Sequence, residues 1–359
     1  MSTITDSRLR PGELIWPLPR TRIRVRTVLV CAALGVLVTA MSILTLGQGT
    51  YPLTPVEVVT ALTGNGPEIH HIIVVEWRLP RTLVAVLVGC ALGAAGSITQ
   101  TLARNALASP DLLGITMGSS VAVVTVLALI PGPMLLATGA LASIAVPLAA
   151  LVGGLIAAGV VWLLTLPGGT DTSRLVLTGV GITTLCSATV SAVLASSDVH
   201  QASEAVAWLA GTLDGRQWQH AAPAAICLIT GLILLTASAT AMQVLPLGDD
   251  TARSLGVPIG RSQALAWVAA VVMTAGAVAA AGPIGFVALA APQVARLLLA
   301  SPTPPAVAGG LCGAVMVPGC DLISQHILAG TVPVGVVTAA AGAPFFIALL
   351  VHANKKVTS

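Results

Sequence analysis

Thirteen acids, sixteen bases and six histidines in 359 residues leave few side chains able to do chemistry. Their spacing excludes most of what they could do. No G-x-x-x-x-G-K-S/T run is present, so the chain carries no phosphate cradle of its own. Neither H-E-x-x-H nor paired Cys/His spacing offers a zinc site, and no bound metal is expected. The adjacent His70 and His71 read as solvated imidazoles rather than a ligand pair. Ser324 and His326 stand two residues apart, and side chains so spaced on a helix do not face each other. Cys31, Cys90, Cys186, Cys227, Cys312 and Cys320 fall within or at the ends of apolar stretches with no C-x-x-C, as small buried hydrophobes do. Nothing points to a nucleic-acid partner. What remains is Gln100, Asn105, Gln293 and Asp321 in apolar surroundings, and Arg78 and Arg81 flanking Pro80. Such residues are expensive in lipid and usually face a cavity or a partner, so their chemistry is recognition and passage.

The elements that must position them follow from composition. The chain is 56% hydrophobic and only 8% charged, with a mean hydropathy of +0.97. So few charges cannot coat a soluble surface. Apolar length and Gly/Pro punctuation predict ten spans, near 27–46, 83–103, 112–130, 134–165, 175–196, 221–242, 262–281, 284–300, 305–322 and 332–352. The expected fold is all-α and polytopic. It divides into a basic cytoplasmic lead at 1–26, one transmembrane domain at 27–352 and a cytoplasmic tail at 353–359. With the N-terminus inside, every base except Arg78, Arg81 and Arg216 falls on the inner side, which agrees with the positive-inside rule. Both termini are then cytoplasmic, in the cytoplasmic membrane of a bacterium. The long basic lead and the lack of an A-x-A site in "TLGQGT" argue against a cleaved signal peptide. Gly89 and Gly93 form a GxxxG stripe suited to close helix packing. Among the acids, only Asp321 lies near a span interior, which leaves little for ion-coupled transport.

One polar interruption stands out on the inner side, "LGDDTARSLGVPIGR" at 247–261. Gly248 or Asp249 can cap a short helix whose first turn places Asp249 and Asp250 against the positive end of its dipole. Gly256 is a ready terminator and Pro258 opens the next element. Leu247, Thr251 and Leu255 share one face. The residues alone allow either an ordinary capped loop helix or a rigid knob for a cytoplasmic protein to grip.

Seven motifs in order resemble the FecCD-type permeases of ABC importers for ferric siderophores, haem and cobalamin. They are "RLPRTL" at 78–83, "GCALGAAGSITQTLARNALASPDLLGITMGSS" at 89–120, "TSRLVLTGV" at 172–180 and "WLAGTLDGRQW" at 208–218. "LGDDTARSLGVP" at 247–258, "AGPIGFVALAAPQVARLL" at 281–298 and "PVGVVTAAAGAPFFIALL" at 333–350 complete the series. The resemblance implies a type II ABC importer permease fold. It implies that Leu247, Gly248, Asp249, Asp250, Ala252, Arg253, Leu255 and Gly256 form a coupling helix on a cytoplasmic ABC ATPase dimer. Arg78 and Arg81 would dock an extracytoplasmic substrate-binding protein. Gln100 would face the pathway, with Asn105, Leu107, Thr172 and Ser173 in its inner gates.

The chain departs from the family pattern at four positions. Ala106 replaces a proline, Gln293 a histidine, Thr331 an acid and Gln325 an arginine. These fit a divergent subunit whose second permease subunit, identical or a sibling, supplies the missing contacts. The chain itself is expected to be no enzyme and to bind no cofactor, with ATP and Mg held by the partner ATPase. The expected cargo is a ferric siderophore. Cobalamin or haem on the same fold is the alternative, and an ion-coupled secondary transporter the alternative of another class.

Overall fold

The computed structural model describes residues 13–15, 22–49, 51–129, 139–165, 172–245, 254, 259–328 and 330–355. Leu247, Gly248, Asp249, Asp250, Ala252, Arg253, Leu255 and Gly256 lie outside the described residues. The helices are α1 (Val25–Gly47), α2 (Pro55–Leu62), α3 (Glu68–His71), α4 (Leu79–Leu102), α5 (Ile115–Leu129), α6 (Gly139–Thr165) and α7 (Thr172–Ser196). They continue as α8 (Val199–Leu209), α9 (Trp218–Val244), α10 (Ile259–Ala281), α11 (Val287–Leu299), α12 (Ala306–His326) and α13 (Val334–Lys355).

All ten expected spans correspond to helices. Among the described residues, seven apolar helices are long enough to cross a membrane, Ile115–Leu129 and Val287–Leu299 are shorter, and the apolar stretch Val334–Ile347 belongs to the 22-residue α13. Local punctuation explains the two short ones. Gly114, with φ 82°, cuts α5 off from the 3-10 turn at Pro110–Leu113. Phe286 and Ala300, both left-handed, bound α11. Within the lead, Glu13–Ile15 and Arg22–Arg24 pair antiparallel, with Leu14 opposite Ile23, a small hairpin the composition did not announce.

The second span begins earlier than its hydropathy predicts. A π-helical stretch, Ile72–Arg78, joins α3 to α4, so that helix runs unbroken from Glu68 to Leu102. Pro80 accounts for the change of pitch. Its ring and missing N–H disrupt the preceding turn, and the wider π turn, with the Leu79 N–H reaching back to the Val74 carbonyl, accommodates it.

Helix α4 is the centre of the bundle, buried along nearly its whole length and packed on α9, α10, α11 and α12. Small residues permit this. A Cβ on Gly89 would run into the Gly313 carbonyl, and one on Gly93 into that of Gly309. The α4 and α12 backbones therefore touch, giving the close van der Waals contact that holds helices together in lipid. The main core joins Val88, Leu92 and Ile98 to Met273, Ile284 and Val317. A second cluster closes α5 against α6 and α8 around Val123 and Trp208. By contrast, α1 and α7 leave apolar residues such as Leu29, Val36, Leu177 and Leu185 exposed, as lipid- or subunit-facing helices do.

Candidate functional site

Two polar clusters mark the ends of α4. From Arg81 to Gln100 is nineteen helical steps, about 28 Å at 1.5 Å per residue, close to the ~30 Å hydrocarbon thickness.

At the outer end, Arg81 follows Pro80 and forks onto Asp321 of α12. Its Nε donates to Oδ2 at 3.1 Å and its Nη2 to Oδ1 at 2.8 Å. This bidentate geometry is the strong form of the guanidinium–carboxylate pair. Gln325, one turn beyond, donates from Nε2 to the same carboxylate at 2.6 Å. The third hand of Arg81, Nη1, donates to Asp214. Asp321 is almost fully buried, with 3% of its side chain exposed, whereas Asp214 is 63% exposed. The loop carrying Asp214 is pinned by backbone bonds, Thr212 N–H to Ala281 at 2.9 Å and Gly335 N–H to Gly211 at 3.0 Å. Gly211 sits at φ 68° with the Pro283 carbonyl where a Cβ would be, a close approach that only glycine permits.

Arg78 does different work. Its Nη1 donates to the Leu46 carbonyl at 2.8 Å and its Nη2 to the Tyr51 carbonyl at 2.6 Å. It clamps the turn between α1 and α2, and among the described residues no carboxylate neutralises it. Between the two arginines opens a cavity of about 320 Å³, lined by Gln48, Tyr51, Trp77, Arg78, Arg81 and Asp321.

The inner end is built from amides. Gln100 Nε2 donates to the Leu289 carbonyl of α11 at 3.1 Å. Gln293 Nε2 donates to Gln100 Oε1 and, at 3.4 Å, to the Ala106 carbonyl. Among the described residues, the buried Gln293 Oε1 has no partner. Rotating the Gln293 amide would set its oxygen against that of Gln100, so the orphan is intrinsic to this arrangement. The chain then turns through Arg104, at φ 45°, a conformation uncommon for a side chain-bearing residue. Asn105 shapes the turn: its N–H donates to the Gln100 carbonyl at 3.1 Å, and its Oδ1 accepts the Leu107 N–H at 2.9 Å. A cavity of about 210 Å³ opens here, lined by Gln100, Arg104, Asn105, Gln293, Arg296 and Thr303.

The structure therefore brings Gln100, Asn105 and Leu107 to one end of α4 and Arg78 and Arg81 to the other. Thr172 opens α7 with Ser173 behind it, but their side chains lie outside the described residues. Ser324 and His326 turn to different backbone carbonyls, those of Val332 and Leu322. Thr331 Oγ1 donates to the Leu328 carbonyl. Sequence reasoning missed Asp214 and the Arg81–Asp321 pair. The signal was available, because a cation on the side poor in bases and the one acid near a span interior each need a partner.

This architecture, a small-residue helical bundle with its long buried helix polar at both ends, defines a class: an all-α polytopic membrane protein. A solved structure described as an inward-facing metal-chelate type ABC transporter has the same fold, with a TM-score of 0.74 at 24% identity over 89% of this chain and 98% of that one. The FecCD transport family model matches residues 36–352, and the chain belongs to that family. The ferric enterobactin permease FepG of Escherichia coli is 38% identical over 87% of this chain and 92% of its own length. The achromobactin permease CbrC of Dickeya dadantii is 36% identical over 88% and 89%. The cobalamin permease BtuC of Halobacterium salinarum is 34% identical over 84% and 79%. The protein is thus the membrane permease subunit of an ABC importer, and not its ATPase.

Proposed function

We propose that the chain carries a ferric siderophore across the cytoplasmic membrane, as one of two permease subunits enclosing a central path. The observation that carries the reading is the buried helix α4, which joins a charged outer cluster to an amide-lined inner opening. Relatives named for ferric enterobactin and achromobactin support the cargo class. In this reading an extracytoplasmic binding protein docks at Arg78 and Arg81. Its carboxylates pair with Arg78 and compete with the exposed Asp214 for Arg81, which gives salt-sensitive steering. Gln100, Asn105, Leu107, Thr172 and Ser173 line the way in, and the gates open by rigid-body rocking. A cytoplasmic ATPase dimer, holding the ATP and Mg, seats on the coupling helix formed by Leu247, Gly248, Asp249, Asp250, Ala252, Arg253, Leu255 and Gly256.

The test is uptake of radiolabelled iron as several siderophore complexes, with labelled cobalamin and haem alongside, in a strain lacking the gene. Loss for one ferric siderophore is expected, restored by the wild type but not when the ATPase is inactivated. Intact iron uptake with lost cobalamin or haem uptake would move the cargo and keep the mechanism. Uptake independent of any ATPase would favour an ion-coupled carrier instead. That alternative has little to use, because Asp321 is already bound to Arg81 and Gln325. Leu255→Asp is expected to abolish uptake while membrane insertion stays normal.

A further inference from the structure

Away from α4, helices α6 and α10 leave a gap that the chain does not fill. On α6, Leu155, Ala158, Gly159 and Trp162 recur at i, i+3, i+4 and i+7, one stripe of a helix. On α10, Ala264, Trp267, Val268 and Val271 recur at the same spacing. The two stripes face each other across an apolar groove of about 190 Å³. Its floor includes Gly159, where an added Cβ would meet nothing within 4 Å. Trp162 and Trp267 stack at 6.0 Å between ring centroids, with 26° between their planes. That aromatic pair forms part of the wall.

Depth in the membrane indicates the occupant. Helix α6 ends at Thr165 and α10 begins at Ile259, both on the basic inner side. Twelve residues from Ile259 to Val271 span about 18 Å, a little more than half of the ~30 Å hydrocarbon core. The groove therefore runs down the inner leaflet, with Ala264 nearest the interface and Trp267 and Val271 progressively deeper. Arg261 lies three residues before Ala264 and seven before Val268, so it heads the same α10 stripe. It is exposed and has no carboxylate partner among the described residues. An acyl chain along the groove would place its headgroup phosphate at the level of that guanidinium.

We propose that this groove is a binding site for one anionic phospholipid of the inner leaflet, with an acyl chain between the α6 and α10 stripes and the phosphate on Arg261. Apolar walls alone would take any lipid tail; the arginine at the head of the stripe confers the preference for negative charge. The site is separate from the transport pathway and does not depend on the cargo.

The test uses the full chain in lipid nanodiscs, with Trp16, Trp77, Trp208 and Trp218 changed to Phe so that only the stacked pair fluoresces. Phosphatidylglycerol and phosphatidylcholine with brominated acyl chains are titrated at equal mole fraction against unbrominated lipid. Brominated phosphatidylglycerol is expected to half-quench at a several-fold lower mole fraction than brominated phosphatidylcholine. Arg261→Gln should remove that difference while quenching remains. Gly159→Leu, which fills the floor, should raise the mole fraction needed for both lipids. Equal quenching by the two lipids in the wild type would overturn the proposal, as would a preference that survives Arg261→Gln. Absence of quenching by either would overturn it too, because the groove would then be covered by protein.

Discussion

The two ends of α4 are tied to their neighbours by different physics. At the outer end a guanidinium meets a carboxylate that is almost wholly buried, and a glutamine amide reinforces that carboxylate. At the inner end the ties are neutral amides, and one acceptor, Gln293 Oε1, has no partner among the described residues. Two unit charges 4 Å apart attract by about 4 kcal/mol at an effective dielectric of 20, but burying them costs a comparable amount, so the pair adds little net stability. What it adds is a penalty for separation, because an unpaired buried charge is expensive. A neutral hydrogen bond is worth only about 1 kcal/mol net, and an orphaned acceptor offsets as much. The outer end is therefore hard to part, and the inner end yields cheaply. That asymmetry suits a helix whose outer face is a docking platform and whose inner end must open.

The largest test of the contrast removes the buried anion. Asp321→Ala leaves Arg81 facing only the exposed Asp214, and it should cost about 3–5 kcal/mol in thermal unfolding of the purified protein. Asp214→Ala should cost under ~1 kcal/mol, as exposed pairs do. Equal losses would mean that both acids hold Arg81 alike, and the buried fork would lose its special status.

A second test addresses the stiff middle that joins the ends. Gly93→Ala drives a methyl into the Gly309 carbonyl and should cost about 1–3 kcal/mol as overpacking. Gly181, whose added Cβ meets nothing within 4 Å, is the control on the lipid- or subunit-facing α7. There an alanine should be neutral or stabilise by up to about 1 kcal/mol, since it restricts the unfolded chain. A Gly93→Ala variant as stable as Gly181→Ala would show that α4 and α12 can slide apart without penalty.

How much of this was legible in the sequence depends on the kind of signal. Ten apolar stretches gave ten helices, because hydropathy over a bilayer's length is a strong and local signal. The GxxxG stripe at Gly89 and Gly93 also held, since small residues have one main use in close helix contact. The start of the second span did not, because Glu68 to Arg78 is too polar for hydropathy to see as a continuation, and Pro80 reads as a boundary when a π turn can absorb it. The partners of Arg81 were hidden for another reason. Asp214 and Asp321 are more than a hundred residues away along the chain, and only the packing of α12 and the 211–217 loop against α4 brings them together. Gln293 and Gln100 were each marked as polar and intramembrane, but their mutual hydrogen bond needs the register of α11 on α4. Pro292 next to Gln293 signals an irregular helix without giving that register.

The smallest expected effect tests the inner end most directly. Gln293→Leu removes the orphaned acceptor, a gain, and removes the donor to Gln100 Oε1, a loss of similar size. The net change in stability should stay within about 1 kcal/mol. Gln100→Leu alone strands Gln293 with two unpartnered polar atoms, apart from its long contact to Ala106, and should cost more. The double variant replaces both partners by apolar groups of similar size and should recover most of that loss. The cycle should thus return a coupling of about 0.5–1.5 kcal/mol. A coupling near zero in thermal unfolding would mean that the two amides do not hold the 103–109 turn against α11. The softness of the inner end would then have to reside in the left-handed turn at Arg104, which Arg104→Gly would relieve.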